Sequence, residues 1–146
     1  MATITELKDI ATQVRRDIIR MTNSVSSGHP GGSLGCADVM TALYFEIMDL
    51  DVANFKREGK GEDMFFLSNG HISPVLYSVL ARRGYFPVSE LATFRKLGTR
   101  LQGHPSIRFA VVLRKFKSQF NCNFVERFYF LFAFVHFVQQ LRTNKF

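Results

Sequence analysis

Apolar residues recur at three- and four-residue steps through the opening stretch, at Leu7, Ile10, Ala11, Val14, Ile18, Met21 and Val25. That spacing lays one stripe along one side of a helix. Thr3 or Thr5 is suited to cap its start, and Arg15, Arg16, Asp17 and Arg20 fall mostly outside the stripe. The pattern breaks near 24–27, at serines followed by Gly28. Gly31, Gly32 and Ser33 then form a loop into a second helix, with Ser33 as its candidate N-cap and Val39, Met40, Leu43, Tyr44 and Ile47 as its buried face. Residues 49–63 mix both charge signs around Gly59 and Gly61, which predicts an exposed loop. Met64-Phe65-Phe66-Leu67 is a short apolar run between turn residues and predicts a buried strand. Pro74 suits the first turn of another helix, which turns Val75, Leu76, Val79 and Leu80 inward and stops at Gly84. A short helix is expected from Pro87 to Leu97, with Leu91 and Phe94 inside and Gly98 after it. Residues 99–105 read as a loop that Pro105 holds extended.

After Ser106 the pattern changes character. Residues 107–146 contain no glycine and no proline, although the first 105 hold ten and four. They contain ten of the sixteen phenylalanines, and Phe109, Leu113, Phe116, Phe120, Phe124 and Phe128 form a helical stripe. From Phe128 to Val138 the chain is apolar except for His136, a run too short for the roughly 20 residues that cross a bilayer.

Charge follows the same division. The chain carries +7 over 146 residues. Residues 1–106 hold 12 Lys and Arg against 11 Asp and Glu, whereas 107–146 hold 7 against 1. The basic excess therefore sits in the last forty residues, and the first 106 give no electrostatic reason to expect a nucleic-acid partner. Cys36 and Cys122 do not make a metal or redox spacing, and no disulfide framework is implied. The start of the chain has no apolar core like that of a signal peptide, so a cytoplasmic location is expected.

Candidate chemistry gathers at three glycine–histidine pairs: Ser27-Gly28-His29-Pro30-Gly31-Gly32, Ser68-Asn69-Gly70-His71 and Gln102-Gly103-His104-Pro105. Glycine lets backbone approach a ligand closely, and imidazole can donate a hydrogen bond or a proton near neutral pH. Each pair stands where a loop meets the end of an element, and three in about 75 residues favour one shared site. The glycine turn before the second helix matches neither the dinucleotide nor the Walker A pattern, so a tight helix connection is the better account of it.

With these stretches placed, the chain resembles the N-terminal part of transketolase, most closely the N-terminal subunit of the split form. The resemblance runs over about residues 1–106 and then stops. It is carried by Ser27-Gly28-His29-Pro30-Gly31 with Leu34-Gly35, by Phe66-Leu67-Ser68-Asn69-Gly70-His71, and by Gln102-Gly103-His104-Pro105. The family moves a two-carbon ketol unit from a ketose phosphate to an aldose phosphate, as in the pentose phosphate pathway. It uses thiamine diphosphate and magnesium or calcium. By resemblance, His71 with Gly70 contacts the cofactor's diphosphate, while His29 and His104 line the substrate channel and assist proton transfer. The resemblance also implies a separate C-terminal transketolase chain and an assembly of homodimer type.

Departures from the family shape the remaining expectations. The Gly-Leu-Gly-Gln-Gly-like continuation and the Gly-Asp-Gly motif with its later asparagine, which hold metal and diphosphate, do not occur. No metal ligand is therefore assigned. The expected fold is the α/β, thiamine-diphosphate-binding doubly wound fold in truncated form, mostly α-helical here with a short strand near 64–67. Two domains are expected: 1–106, a fragment of the diphosphate-binding domain, and 107–146, a Phe-rich basic tail of unrelated character, as from a shifted or interrupted reading frame. The chain alone is expected to be inactive. The alternatives are a non-catalytic interaction or membrane-surface protein acting through the tail, or a degenerate truncated product.

Overall fold

The structure is a computed structural model that describes residues 2–54, 63, 65 and 67–105. All of these belong to the first of two units of the chain, Met1–Lys115. The tail stripe from Phe109 to Phe128, the apolar run 128–138 and His136 lie outside the described residues.

Helix α1 spans Ile4–Ser24. Thr3 caps it: its hydroxyl accepts from the Glu6 N–H, and the Glu6 carboxylate accepts from the Thr3 N–H at 2.8 Å, a reciprocal capping box. The predicted stripe is the buried face, with Ala11, Val14, Ile18 and Met21 each at most 2% exposed. Asp17 departs from its expected place outside that stripe, being only 3% exposed. Its carboxylate accepts from Arg82 Nε at 2.6 Å, from Arg82 Nη2 at 3.0 Å and from the Ser78 hydroxyl at 2.8 Å. A charge is tolerated at such a depth when it is paired and hydrogen-bonded.

The second helix is broken into pieces. Helix α2 spans Pro30–Gly35 and helix α3 spans Ala37–Ala42, with Cys36 between them; a π-type turn follows over Leu43–Ile47. Ser33 is not the N-cap. The helix begins three residues earlier, because Pro30 has φ preset for a first turn and needs no N–H partner there. Ser33 lies inside α2, fully buried. Met40, Leu43 and Tyr44 are buried as expected, but Val39 and Ile47 are 51% and 49% exposed. The break at Cys36 and the wider π turn rotate those two positions out of the face that a single regular helix would present.

Helix α4 spans Ser73–Arg83 and ends at Gly84, whose φ of 100° makes a left-handed cap. Every residue from Ile72 to Ala81 is buried. Helix α4 packs against α1, α2 and α3, and also against the 3₁₀ turn Val88–Thr93. That turn occupies only part of the expected helix 87–97. Leu91 and Phe94 are buried as expected, while Leu97 is fully exposed and lies beyond the turn.

Among the described residues there is no strand. The expected strand near 64–67 falls partly outside them, at 64 and 66. Phe65 and Leu67 pack partly buried on the core, Phe65 edge-on to Tyr44 at 5.6 Å between ring centroids. The Asp63 N–H donates to the Asp49 carbonyl at 2.9 Å. Among the described residues no helix is long and apolar enough to cross a membrane.

Candidate functional site

His29 follows the turn that ends α1. The Ser27 N–H donates to the Thr22 carbonyl at 3.1 Å, and Ser26 and Gly28 take φ of 45° and 128°. A Cβ at Gly28 would meet Thr22 Cγ2 at 2.9 Å in a backbone conformation that side chains rarely adopt, so this turn requires glycine. Pro30 then starts α2 and fixes the direction in which the chain leaves His29.

His71 sits in the 3₁₀ turn Gly70–Ile72, directly before α4. The Asn69 side-chain oxygen accepts from the His71 N–H at 3.1 Å, so the Ser-Asn-Gly-His sequence makes its own turn. Helix α2 approaches this turn closely: a Cβ at Gly32 would stand 3.0 Å from Ile72 Cγ2.

His104 is carried by the irregular loop 99–105. The Ser73 hydroxyl donates to the Gly103 carbonyl at 2.6 Å, and the Tyr77 hydroxyl donates to the Gln102 carbonyl at 2.8 Å. From the other side, the Arg95 N–H donates to the Leu101 carbonyl at 2.7 Å, and Leu101 is buried. Arg95 adopts φ of 57°, a left-handed conformation unusual for a residue with a side chain.

The three imidazoles meet. His29 and His71 stand edge-to-face, with centroids 4.9 Å apart and planes at 90°. His71 and His104 repeat the arrangement at 4.9 Å and 76°. His71 is the central ring and is half-buried, while His29 and His104 are more exposed on either side. They share a cleft of about 60 Å³ with Ser73, Phe94 and Arg95 in its wall. Gly70 packs directly under His104. All four residues singled out from the sequence, His29, Gly70, His71 and His104, therefore come to one place.

Ser73, Tyr77 and Arg95 belong to this neighbourhood and were not picked out from the sequence. The hydroxyl partners are backbone carbonyls 25 and 30 residues away, and the positive φ of Arg95 leaves no compositional trace. Burial pushes the Tyr77 phenol far above the ordinary range, so it remains a donor.

The cleft wall offers imidazole and guanidinium groups, and no carboxylate lines it among the described residues. That donor set fits an anionic group such as a diphosphate. It does not fit a hard divalent cation, which needs oxygen ligands. Among the described residues no group of three or more His, Cys, Asp and Glu is arranged to hold a metal ion.

The family model described as "Transketolase, thiamine diphosphate binding domain" matches residues 7–114. Transketolase of Mus musculus is 37% identical over 99 residues, which cover 68% of this chain and 16% of the mouse protein. The 6-deoxy-6-sulfo-D-fructose transketolase subunit SqwG of Clostridium sp. (strain MSTE9) is 38% identical over 107 residues, covering 73% of this chain and 38% of that subunit. The solved structure of transketolase from Leishmania mexicana superposes with a TM-score of 0.64 at 30% identity, covering 73% of this chain and 15% of that one. The chain thus spans about a sixth of the length of the mouse enzyme. On the match over residues 7–114, it belongs to the transketolase family, within the thiamine diphosphate binding domain.

Proposed function

We propose that this chain contributes the histidine wall of a site that transfers a two-carbon ketol unit from a ketose phosphate to an aldose phosphate. The observation that supports this most is the convergence of three imidazoles from well-separated segments, each within 4.9 Å of a neighbour. In this site the bound thiamine diphosphate supplies the carbanion chemistry. His71, at the entry to α4, donates to the diphosphate, where the helix start also favours negative charge. Gly70 beside it contacts the diphosphate through its backbone. His29 and His104 flank His71 and donate to the ketose hydroxyls. They also stabilise the oxygen on which charge develops and move protons to and from it.

The remainder of the site comes from elsewhere. Since the family's metal-holding motif does not occur in the sequence, we take the chain to be inactive alone. A separate C-terminal chain, in an assembly of homodimer type, would complete it; the Clostridium relative, whose name calls it a subunit, supports this. The family's magnesium or calcium would be held by the Gly-Asp-Gly motif and its later asparagine, which this sequence lacks. A fragment over 1–106 with a tail of different origin over 107–146 remains our account of the chain's organisation, and the cytoplasm our account of its location.

Histidine ring signals in the NMR spectrum of the full chain test the site. Millimolar thiamine diphosphate with magnesium should shift the His71 signal most, and His71→Ala should abolish the response of the other two rings. A His71 signal that ignores the cofactor would overturn the assignment. Turnover of a ketose phosphate by this chain alone would overturn its dependence on a partner.

A further inference from the structure

His104 projects from a loop without regular secondary structure, yet its ring stands edge-on to His71 at 76°. The geometry points to Ser73 and Tyr77 as positioning residues for His104, their hydroxyls latching the Gly103 and Gln102 carbonyls to α4. Both donor side chains are only 1% exposed and both hydrogen bonds are part-buried, so removing either hydroxyl leaves a shielded carbonyl without its partner. Ser73 and Tyr77 lie four residues apart, hence on one face of α4 and one turn apart. They grip consecutive carbonyls, immediately before His104 in the chain. Two bonds to neighbouring peptide units fix a plane as well as a distance, which restrains the direction in which the next side chain leaves. The same helix begins two residues after His71, so one rigid element sets both rings.

Neither hydroxyl is placed to touch the reacting atoms: each donates to a backbone carbonyl. The relevance of the latch to turnover rests on the proposed role of His104, but the ring position does not. The experiment therefore reads the ring.

In the full chain, the ring carbon–proton signals of the histidines are assigned by single His→Asn changes and followed in Tyr77→Phe and Ser73→Ala. Each latch variant should shift or split the His104 signal and leave His29 in place. Ser78→Ala is the control: it removes an equally buried hydroxyl from the same helix, one that donates to Asp17 instead. It should leave His104 unmoved. An unchanged His104 signal in both latch variants overturns the proposal, as does an equal shift in Ser78→Ala. Ser73→Ala carries the test if Tyr77→Phe does not fold. If His104 shifts as expected while the cofactor response of His71 is missing even in the unmodified chain, the latch stands and the proposed function falls.

Discussion

Gly70 and His104 are in contact: a Cβ built on Gly70 would lie 2.6 Å from His104 Cδ2. The third glycine–histidine segment of this cleft is therefore not merely near the second but seated on it. Gly70→Ala is expected to swing the His104 ring aside, since a side-chain end yields more easily than backbone. Stability should fall by about 1 kcal/mol, the low end for overpacking, because the obstructing atom belongs to a side chain that can rotate. Urea unfolding would show the small loss, and a displaced His104 ring signal would show the movement. An unmoved ring would mean that the Gly70 turn gives way instead.

Asp17 and Arg82 tie α1 to α4 through two hydrogen bonds, at 2.6 and 3.0 Å. Asp17→Ala leaves a guanidinium without its buried partner. A loss of about 3 kcal/mol is expected, at the low end for broken buried pairs because Arg82 keeps some contact with solvent. Ser78→Ala should cost about 2 kcal/mol, the scale of one hydrogen bond to a charged group. Denaturant midpoints at unchanged slope would measure both.

The capping box predicts an acid sensitivity at the start of α1. Hydrogen bonds from Thr3 hold the Glu6 carboxyl below its ordinary value of 4.5. Because the folded value is depressed, the contribution is present above the ordinary value and is lost as pH falls through the lowered one. Amide exchange at the first turn of α1 should accelerate in that acid range. Glu6→Gln should remove the pH step while leaving the helix in place.

Cys36 should be a slow thiol. Burial raises its pKa above the ordinary value, so little thiolate is present near neutrality. In a Cys122→Ser background, a disulfide reagent at pH 8 should modify Cys36 more slowly than free cysteine, with rates converging on denaturation. Reaction as fast as that of free cysteine in the folded chain would contradict the burial.

Much of this was legible along the chain because the relevant signals are local. The stripe from Ala11 to Met21 repeats every turn, and Pro74 and Gly84 bracket α4 with residues that favour those two ends. Likewise the three histidines each carry an adjacent glycine. What could not be read depends on partners distant in sequence. Asp17 looks like a solvent-facing charge until Arg82, 65 residues on, folds over it. Val39 and Ile47 keep perfect helical spacing, yet the break at Cys36 and the π turn put them outside. Ser73 and Tyr77 bind carbonyls, and a carbonyl has no letter in the sequence.

Helix α4 is enclosed on all sides from Ser73 to Ala81. A rod so enclosed has no idle face on which substitutions can accumulate without effect. It meets α1 through Ser78 and Arg82, and the His104 loop through Ser73 and Tyr77. Drift anywhere along it is thus felt at both ends of the architecture, and the tolerance of this domain to change should be least at a segment that contains none of its histidines.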